Sequence, residues 1–250
     1  MIKERSVGIL CLAGDAGRRT MAESIWGRIY PVTPENASEK MKSLVYRFSQ
    51  FLVRAFLRLA FGCRYSYEAD IPGEGPLIVA ANHCSYFDPP SVGAGVHREI
   101  YFMTKRELFA GRLLGTLIRF YNGVPVRRSG MDWKGVAELK RLLSEGKALI
   151  LFPEGTRQRE GRLGEPKFGV GRLAQETGAV IVPAYARGTA SLREAFLRRR
   201  PLRVCFGRPI LPGEYAGFEA TPRGQLGISA LVMERIARLK EELERTEERG

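Results

Sequence analysis

The chain has 250 residues, 44% of them hydrophobic and 27% charged, and this composition excludes an intrinsically disordered protein. Its 40 Lys and Arg residues outnumber its 27 Asp and Glu residues, which gives a formal net charge of +13. A charge of this sign favours anionic partners such as nucleic acid, anionic lipid or phosphorylated substrates, and it excludes none of these classes.

The cysteines and the hydropathy pattern exclude several further classes. The four cysteines form no Cys-x-x-Cys or Cys-x-x-His pair, which disfavours zinc and thiol-redox motifs and makes a reducing compartment the simplest setting. No run of 18 uncharged apolar residues occurs, so we expect no membrane-spanning helix. The short apolar run 6–13 is followed by charged residues and does not fit a secretory signal peptide.

The N-terminal region contains two predicted parts. Residues 1–40 are rich in Gly, Pro and polar residues without periodicity, so we expect a weakly ordered extension. Residues 41–62 predict an amphipathic helix in which Arg47, Arg54 and Arg58 share a stripe of about 40°, with mostly apolar side chains around it. This pattern suits a helix at a membrane surface, where arginines meet lipid phosphates. An ordinary helix packed on the domain is the alternative.

Short apolar runs and helical patterns alternate over the rest of the chain. In chain order they predict strands over 77–81 and 100–103, a helix from an Asp132 cap to Gly146, a strand over 148–152, a helix over 169–177, strands over 179–184 and 202–206, and a helix over 225–249. The alternation predicts an α/β fold over residues 63–250, a layered single domain with a mixed central sheet flanked by helices. The amphipathic membrane-surface helix precedes this domain.

A histidine and a carboxylate follow the first predicted strand. His83 comes directly after the strand, and Asp88 lies five residues further on. Reactive side chains gather where the strands of an α/β sheet end. A carboxylate at this spacing can hold an imidazole in one tautomer and stabilise its protonated form, so that the other ring nitrogen acts as a base. The alternative is a structural His83, with Asp88 capping the next helix.

A second polar segment, Phe152-Pro153-Glu154-Gly155-Thr156-Arg157, follows the strand predicted over 148–152. Its glycine lets the backbone approach a ligand closely, and its arginine can bind phosphate oxygens in a fork. An ordinary surface turn is the alternative. The chain contains no Gly-x-Ser-x-Gly motif, so we expect the nucleophile to come from the substrate.

These motifs resemble those of the glycerolipid acyltransferase family, which includes the 1-acylglycerol-3-phosphate O-acyltransferases. The Asn-His-x-x-x-x-Asp motif of that family is matched at residues 82–88, and its Phe-Pro-Glu-Gly-Thr-Arg motif is matched in full at residues 152–157. An apolar strand ending in Arg is matched at 124–128, and one ending in Pro at 180–183. The similarity runs over residues 65–210 and also includes two lysines, Lys105 and Lys167.

The resemblance implies transfer of a fatty acyl group from acyl-CoA or acyl-carrier protein to the sn-2 hydroxyl of 1-acylglycerol 3-phosphate, giving phosphatidate in phospholipid biosynthesis. It implies His83 as the catalytic base, oriented by Asp88, with Asn82 or nearby backbone N–H groups as candidates for stabilising the oxyanion. It assigns acceptor binding to Lys105, Arg128, Glu154, Gly155, Thr156 and Arg157. Neither a metal nor a bound cofactor is implied, because the acyl donor is a co-substrate.

The expected partners are an anionic membrane surface, a lysophospholipid acceptor and the acyl donor, with no nucleic acid. The expected location is peripheral, on the cytoplasmic face of the cell membrane. Another acceptor, such as glycerol 3-phosphate or a different lysophospholipid, is an alternative within the same class. The alternative from another class is a non-catalytic basic module that binds membranes or nucleic acid, although the sequence lacks the common nucleic-acid-binding motifs.

Overall fold

A mixed β-sheet forms the centre of the protein in a computed structural model that describes residues 34–126, 132–159, 161–197 and 199–248, with side chains from residue 41 onward. Within these residues the sheet has seven strands: β1 (Arg64–Tyr67), β2 (Leu77–Ala81), β3 (Ile100–Lys105), β4 (Gly123–Val126), β5 (Ala148–Leu151), β6 (Val180–Arg187) and β7 (Arg203–Phe206). Their order is β1-β7-β6-β2-β5-β3-β4, and every neighbouring pair is parallel except β6 and β7.

Helices connect the strands. The described helices are α1 (Pro34–Phe61), α2 (Asp88–Gly93), α3 (Arg112–Phe120), α4 (Trp133–Ser144), α5 (Gly169–Thr177), α6 (Leu192–Phe196), α7 (Pro212–Tyr215) and α8 (Pro222–Glu248), with a 3-10 helix at Arg106–Ala110. The predicted cap of α4 is confirmed, because the Asp132 carboxylate accepts a hydrogen bond from the Gly135 N–H at 3.1 Å.

Successive residues of the sheet supply two separate apolar cores because side chains alternate along a strand. Ile78 and Ala80 of β2 join the core that α4, α5 and α8 complete, whose members include Leu139, Leu173 and Ile236. Leu77 and Val79 join the core on the other face, whose members include Leu57 of α1, Val92 of α2 and Ala195 of α6. The central strand β2 is thus buried on both faces, which explains its uninterrupted apolar sequence.

The predicted α/β layered domain with a mixed sheet and flanking helices is confirmed. The observed β2 has the predicted bounds, while β3 and β6 extend beyond theirs. Strand β1 was not predicted, because it lies at the edge of the sheet and its sequence, Arg-Tyr-Ser-Tyr, has no buried apolar run.

The N-terminal helix α1 begins at Pro34, before the predicted start at residue 41. Proline is favoured in the first helical turn because its missing N–H has no helical acceptor there. The helix ends at Phe61, before Gly62 with φ of 60°. The chain divides into the units Met1–Leu44 and Val45–Gly250. Of the extension predicted over residues 1–40, residues 34–40 belong to α1, and residues 1–33 lie outside the described residues. None of the described helices combines the length and apolar character needed to cross a bilayer.

Polar side chains attach α1 to the end of α2, to the loop that follows it and to β1. The amide of Gln50 donates to the carbonyl oxygens of Gly93 at 2.7 Å and Val96 at 2.6 Å. The guanidinium of Arg54 donates to the hydroxyl of Tyr67 at 2.7 Å. The predicted position of Arg54 among lipid phosphates is therefore wrong, because loop and strand oxygens take its hydrogen bonds.

The side of α1 that faces away from Gln50 and Arg54 carries apolar side chains that are exposed to solvent. From residue 45 onward, the exposed large side chains are Val45, Phe48, Phe51, Leu52, Phe56 and Leu59. Arg47 and Arg58 are exposed as well, on one border of this group. This helix therefore packs partly through polar groups and leaves a broad apolar arc open.

The contact between α5 and α8 depends on the absence of a side chain at Gly171. A Cβ atom there would lie 2.0 Å from the Gln225 carbonyl oxygen, so Gly171→Ala forces the helices apart. We expect a loss of about 1–3 kcal/mol or more in the free energy of unfolding, measured by urea denaturation. Gly169→Ala in the same helix is the matched control, because no atom from outside its own helical turn lies within 4 Å of its Cβ position. Equal stability of the two variants contradicts this account of the contact.

Candidate active site

The predicted site residues that the structure describes lie at the carboxyl ends of neighbouring strands. His83 follows β2, Glu154 follows β5 and Lys105 ends β3. Since β2, β5 and β3 are consecutive parallel strands, these ends share one edge of the sheet. Arg128 lies outside the described residues.

His83 and Asp88 form a buried hydrogen-bonded pair. The His83 Nδ1 atom lies 2.8 Å from Asp88 Oδ2, and the two side chains are 9% and 0% exposed. A carboxylate only accepts hydrogen bonds, so Nδ1 carries a hydrogen, and in the neutral imidazole Nε2 presents a lone pair. No described residue is hydrogen-bonded to Nε2. The pair thus has the geometry of an oriented base.

The Asp88 carboxylate accepts further hydrogen bonds, from the turn before it and from Thr189. The backbone N–H groups of Cys84 and Ser85 each donate to Oδ2 at 2.7 Å, and the hydroxyl of Thr189 donates to Oδ1 at 2.5 Å. Asp88 is the first residue of α2, and its carboxylate accepts from residues that precede the helix. The alternative in which Asp88 only caps this helix is therefore wrong.

Aromatic packing fixes the plane of the His83 ring. The ring stacks on Phe152 with centroids 4.0 Å apart and an angle of 17° between the planes. Phe152 immediately precedes the Pro153–Arg157 turn, and the His83 carbonyl accepts from the Gln158 N–H at 2.7 Å just beyond that turn. The two sequence motifs therefore pack directly against each other.

Glu154 is buried beside this pair. Its Oε1 atom accepts from the His83 backbone N–H at 3.2 Å, and its Oε2 atom, also buried, has no hydrogen-bond partner among the described residues. Burial raises the pKa of Glu154 to about 7; the charge of Asp88 adds to the rise, while the N–H groups of His83 and Gly164 oppose it. Glu154 is thus largely protonated below neutral pH.

The turn after Glu154 brings two cations to the same edge. Gly155 has a φ of 67°, which glycine adopts without strain, and a Cβ atom there would lie 3.0 Å from the side chain of Lys167. The Arg157 guanidinium lies 3.8 Å from the centre of the Tyr86 ring, and it donates a hydrogen bond to the hydroxyl of the same tyrosine at 3.0 Å. Both cations flank the turn.

Two other predicted residues, Thr156 and Lys105, make no described hydrogen bond to the buried pair. Thr156 is exposed and accepts a hydrogen bond from Gln158 at 3.3 Å. Lys105 is half-buried at the end of β3, and its ammonium group makes no hydrogen bond or ion pair with any residue that the structure describes. Its charge is therefore available at this edge.

The side chain of Asn82, suggested as one candidate for stabilising an oxyanion, is hydrogen-bonded to β6. The amide group donates to the Ala186 carbonyl at 3.0 Å and accepts from the Ala186 N–H at 2.7 Å. Asn82 therefore binds the end of β2 to β6. In the described parts of the chain, no group of three His, Cys, Asp or Glu side chains is arranged to hold a metal ion.

Sequence reasoning missed Thr189 and the packing role of Phe152. Thr189 lies 101 residues after Asp88 in the chain, and only the pairing of β2 with β6 brings the two together. A threonine shortly after the carboxyl end of a central strand was the one available signal.

The raised pKa of Glu154 generates a pH-dependent prediction for Glu154→Gln. The folded protein holds this proton more tightly than the unfolded chain, whose pKa is near 4.5. As the pH rises from 4.5 to about 7, ionisation of the buried Glu154 therefore lowers the free energy of unfolding of the wild type. Glu154→Gln does not undergo this loss. The stability of the variant relative to wild type should rise across this window by up to about 3 kcal/mol, measured by urea denaturation.

Glu165→Gln is the matched control, because it removes an exposed carboxylate from the loop that follows the turn. If the difference between Glu154→Gln and wild type is flat over this pH window, the assignment of a protonated Glu154 is wrong.

Comparison with known proteins gives concordant matches. A family model described as acyltransferase matches residues 63–187. The 1-acyl-sn-glycerol-3-phosphate acyltransferase of Bacillus subtilis is 26% identical over 201 residues, which cover 80% of this chain and 99% of that protein. A chloroplast protein of the same name from Arabidopsis thaliana is 32% identical over 143 residues, which cover 54% of this chain and 39% of that one.

A solved structure shares the fold. The crystal structure of the 1-acyl-sn-glycerophosphate acyltransferase from Thermotoga maritima superposes with a TM-score of 0.62 at 24% identity, covering 89% of this chain and 88% of that one. The residues matched by the family model contain His83, Asp88 and the turn 153–157. On this match, the chain belongs to the acyltransferase family.

Proposed function

We propose that the protein transfers a fatty acyl group from a thioester to the sn-2 hydroxyl of 1-acylglycerol 3-phosphate, giving phosphatidate. The observation that carries the proposal is the His83–Asp88 pair, buried at the sheet edge with Nε2 free of described partners and cations close by. The activity named for the Bacillus subtilis relative supports the choice of acceptor, because the match covers nearly all of that protein.

In the proposed reaction His83 acts as the base. Nε2 takes the proton of the acceptor hydroxyl as the hydroxyl oxygen attacks the thioester carbonyl carbon. The tetrahedral intermediate then collapses, the carbon–sulfur bond breaks, and the leaving thiolate takes the proton from the imidazolium. Asp88 keeps Nδ1 protonated throughout and stabilises the positive ring. The products are phosphatidate and a free thiol.

The acceptor phosphate binds at the turn 153–157 in this proposal. Lys105, Lys167 and Arg157 supply positive charge there, and Arg128 joins them on the resemblance of its motif. A protonated Glu154 has a hydrogen to donate, so its unpartnered oxygen binds a phosphate or glycerol oxygen without repelling it. Gly155 lets the backbone approach the ligand, and Thr156 offers a hydroxyl beside it.

Membrane attachment supplies the acceptor in the same proposal. The apolar arc of α1 enters the interface of an anionic bilayer, with Arg47 and Arg58 at its border. Helix α3 adds a second exposed apolar surface, which includes Leu113 at 88% exposure. The rings of Tyr46 in α1 and Tyr121 after α3 are 5.9 Å apart, so the two helices adjoin.

The acyl donor in this proposal is acyl-CoA or acyl-carrier protein, both of which are anionic and suit a net charge of +13. Both donors belong to the cytoplasm, so the protein is proposed to work peripherally on the cytoplasmic face of the cell membrane. The chemistry assigned to the site uses no metal or bound cofactor.

His83→Ala is expected to lower kcat for phosphatidate formation by about 10²–10⁴-fold, because the base is removed. The assay follows acyl transfer from oleoyl-CoA, and separately from acylated carrier protein, to 1-acylglycerol 3-phosphate in mixed vesicles. His97→Ala is the matched control: the protein has two histidines, and His97 is exposed beside Arg54. This control should retain activity.

Each outcome of this assay is informative. Equal turnover by His83→Ala and wild type excludes His83 as the base. If the wild type forms no product with either donor, 1-acylglycerol 3-phosphate is excluded as the acceptor. The same assay with glycerol 3-phosphate and other lysophospholipids then tests the alternative acceptors.

The proposed membrane contact predicts that Leu52→Glu combined with Phe56→Glu weakens binding to anionic phospholipid vesicles. Burying each side chain contributes about 1.5–3 kcal/mol, so the double variant should bind at least about tenfold more weakly in vesicle sedimentation. The matched control combines Leu211→Glu with Leu226→Glu, since these leucines are similarly exposed at 53% and 42%. Unchanged binding by the α1 variant contradicts the proposed attachment.

A further inference from the structure

Thr189 is a buried polar residue to which the proposed reaction gives no role. It follows β6 at the same sheet edge as His83 and is 1% exposed. Its Oγ1 atom lies 2.5 Å from Asp88 Oδ1 and 3.1 Å from Cys84 Sγ. A carboxylate cannot donate, so the single hydroxyl hydrogen of Thr189 points to Asp88, and the Cys84 thiol donates to Thr189.

The two oxygens of Asp88 are supported differently. Oδ2 accepts from His83 Nδ1 and from the N–H groups of Cys84 and Ser85. Oδ1 accepts the short bond from Thr189, and its other described contact is the Cys84 thiol at 3.6 Å. The single thiol hydrogen of Cys84 is directed at the closer Thr189 oxygen, so the Thr189 hydroxyl provides most of the stabilisation of Oδ1.

We propose that Thr189 is a positioning residue, whose hydroxyl holds the Asp88 carboxylate in the rotation that aims Oδ2 at His83 Nδ1. The inference rests on the proposed function, in which this pair is the base. The carboxylate is fully buried, so a lost donor is not replaced by bulk water. Without the hydroxyl, the carboxylate rotates toward its remaining donors, and the imidazole loses its fixed direction.

A purely structural role is the competing explanation, because Thr189 also connects the loop after β6 to the loop after β2. The two roles differ in what they predict. A positioning residue changes kcat through its hydroxyl and leaves substrate binding intact. A structural residue changes stability, and changes kcat and KM together.

The test compares Thr189→Val, which keeps the shape and removes the hydroxyl, with Thr189→Ser, which keeps the hydroxyl. Thr189→Val should lower kcat by about 10- to 100-fold, the range expected for a hydrogen bond to a charged group, with KM for both substrates unchanged. Thr189→Ser should retain most of kcat. Thr177→Val is the matched control, since it removes a hydroxyl bonded at 2.6 Å to the Leu173 carbonyl in α5.

The results separate this inference from the proposed function. Inactive wild type, or a His83→Ala variant as active as wild type, defeats the proposed function itself. Active wild type and inactive His83→Ala, together with full kcat in Thr189→Val, overturn the role of Thr189 alone. Equal loss in the Val and Ser variants also overturns it. If Thr189→Val does not fold, Thr189→Ala takes its place, and failure of both to fold assigns Thr189 a structural role.

Discussion

The buried carboxylate of Asp88 is the constraint on which the site depends. An ion with no exposed surface must receive hydrogen bonds from the protein, because water cannot supply them. Its donors come from the turn after β2, from His83 and from Thr189 after β6. The pairing of β2 with β6 is therefore part of the site, and Asn82 reinforces it by binding Ala186 at the same edge.

Local sequence was sufficient for the centre of the fold and insufficient for its edges. The strands β2 and β5 are buried on both faces, so each appears as a short continuous apolar run. Strand β1 has no such run because one side of it is open. The orientation of α1 could not be predicted either. The predicted arginines do lie near one another on the helix. However, carbonyl oxygens of residues 93–96 accept hydrogen bonds from Gln50 and Arg54, so Arg54 faces the domain.

The site was predictable where its residues are close in the chain. The spacing of His83 and Asp88 is a local signal, and the turn of residues 153–157 is another. The contribution of Thr189 depends on a contact between residues 101 apart, which no local pattern reports. The protonation of Glu154 is equally non-local, because burial and the neighbouring Asp88 raise its pKa. Family membership also disfavours the alternative of a non-catalytic basic module.

The stacking of His83 on Phe152 has a consequence for how the proton travels. With the rings 4.0 Å apart and Nδ1 bonded to Asp88, the imidazole cannot flip without displacing the phenyl ring and breaking that bond. In the proposed reaction the proton taken up by Nε2 cannot leave from the far side of the ring. The proton must depart through the same nitrogen, so Nε2 of His83 both accepts the proton and releases it. The acceptor hydroxyl and the leaving sulfur must therefore approach Nε2 one after the other, on the same side of the imidazole.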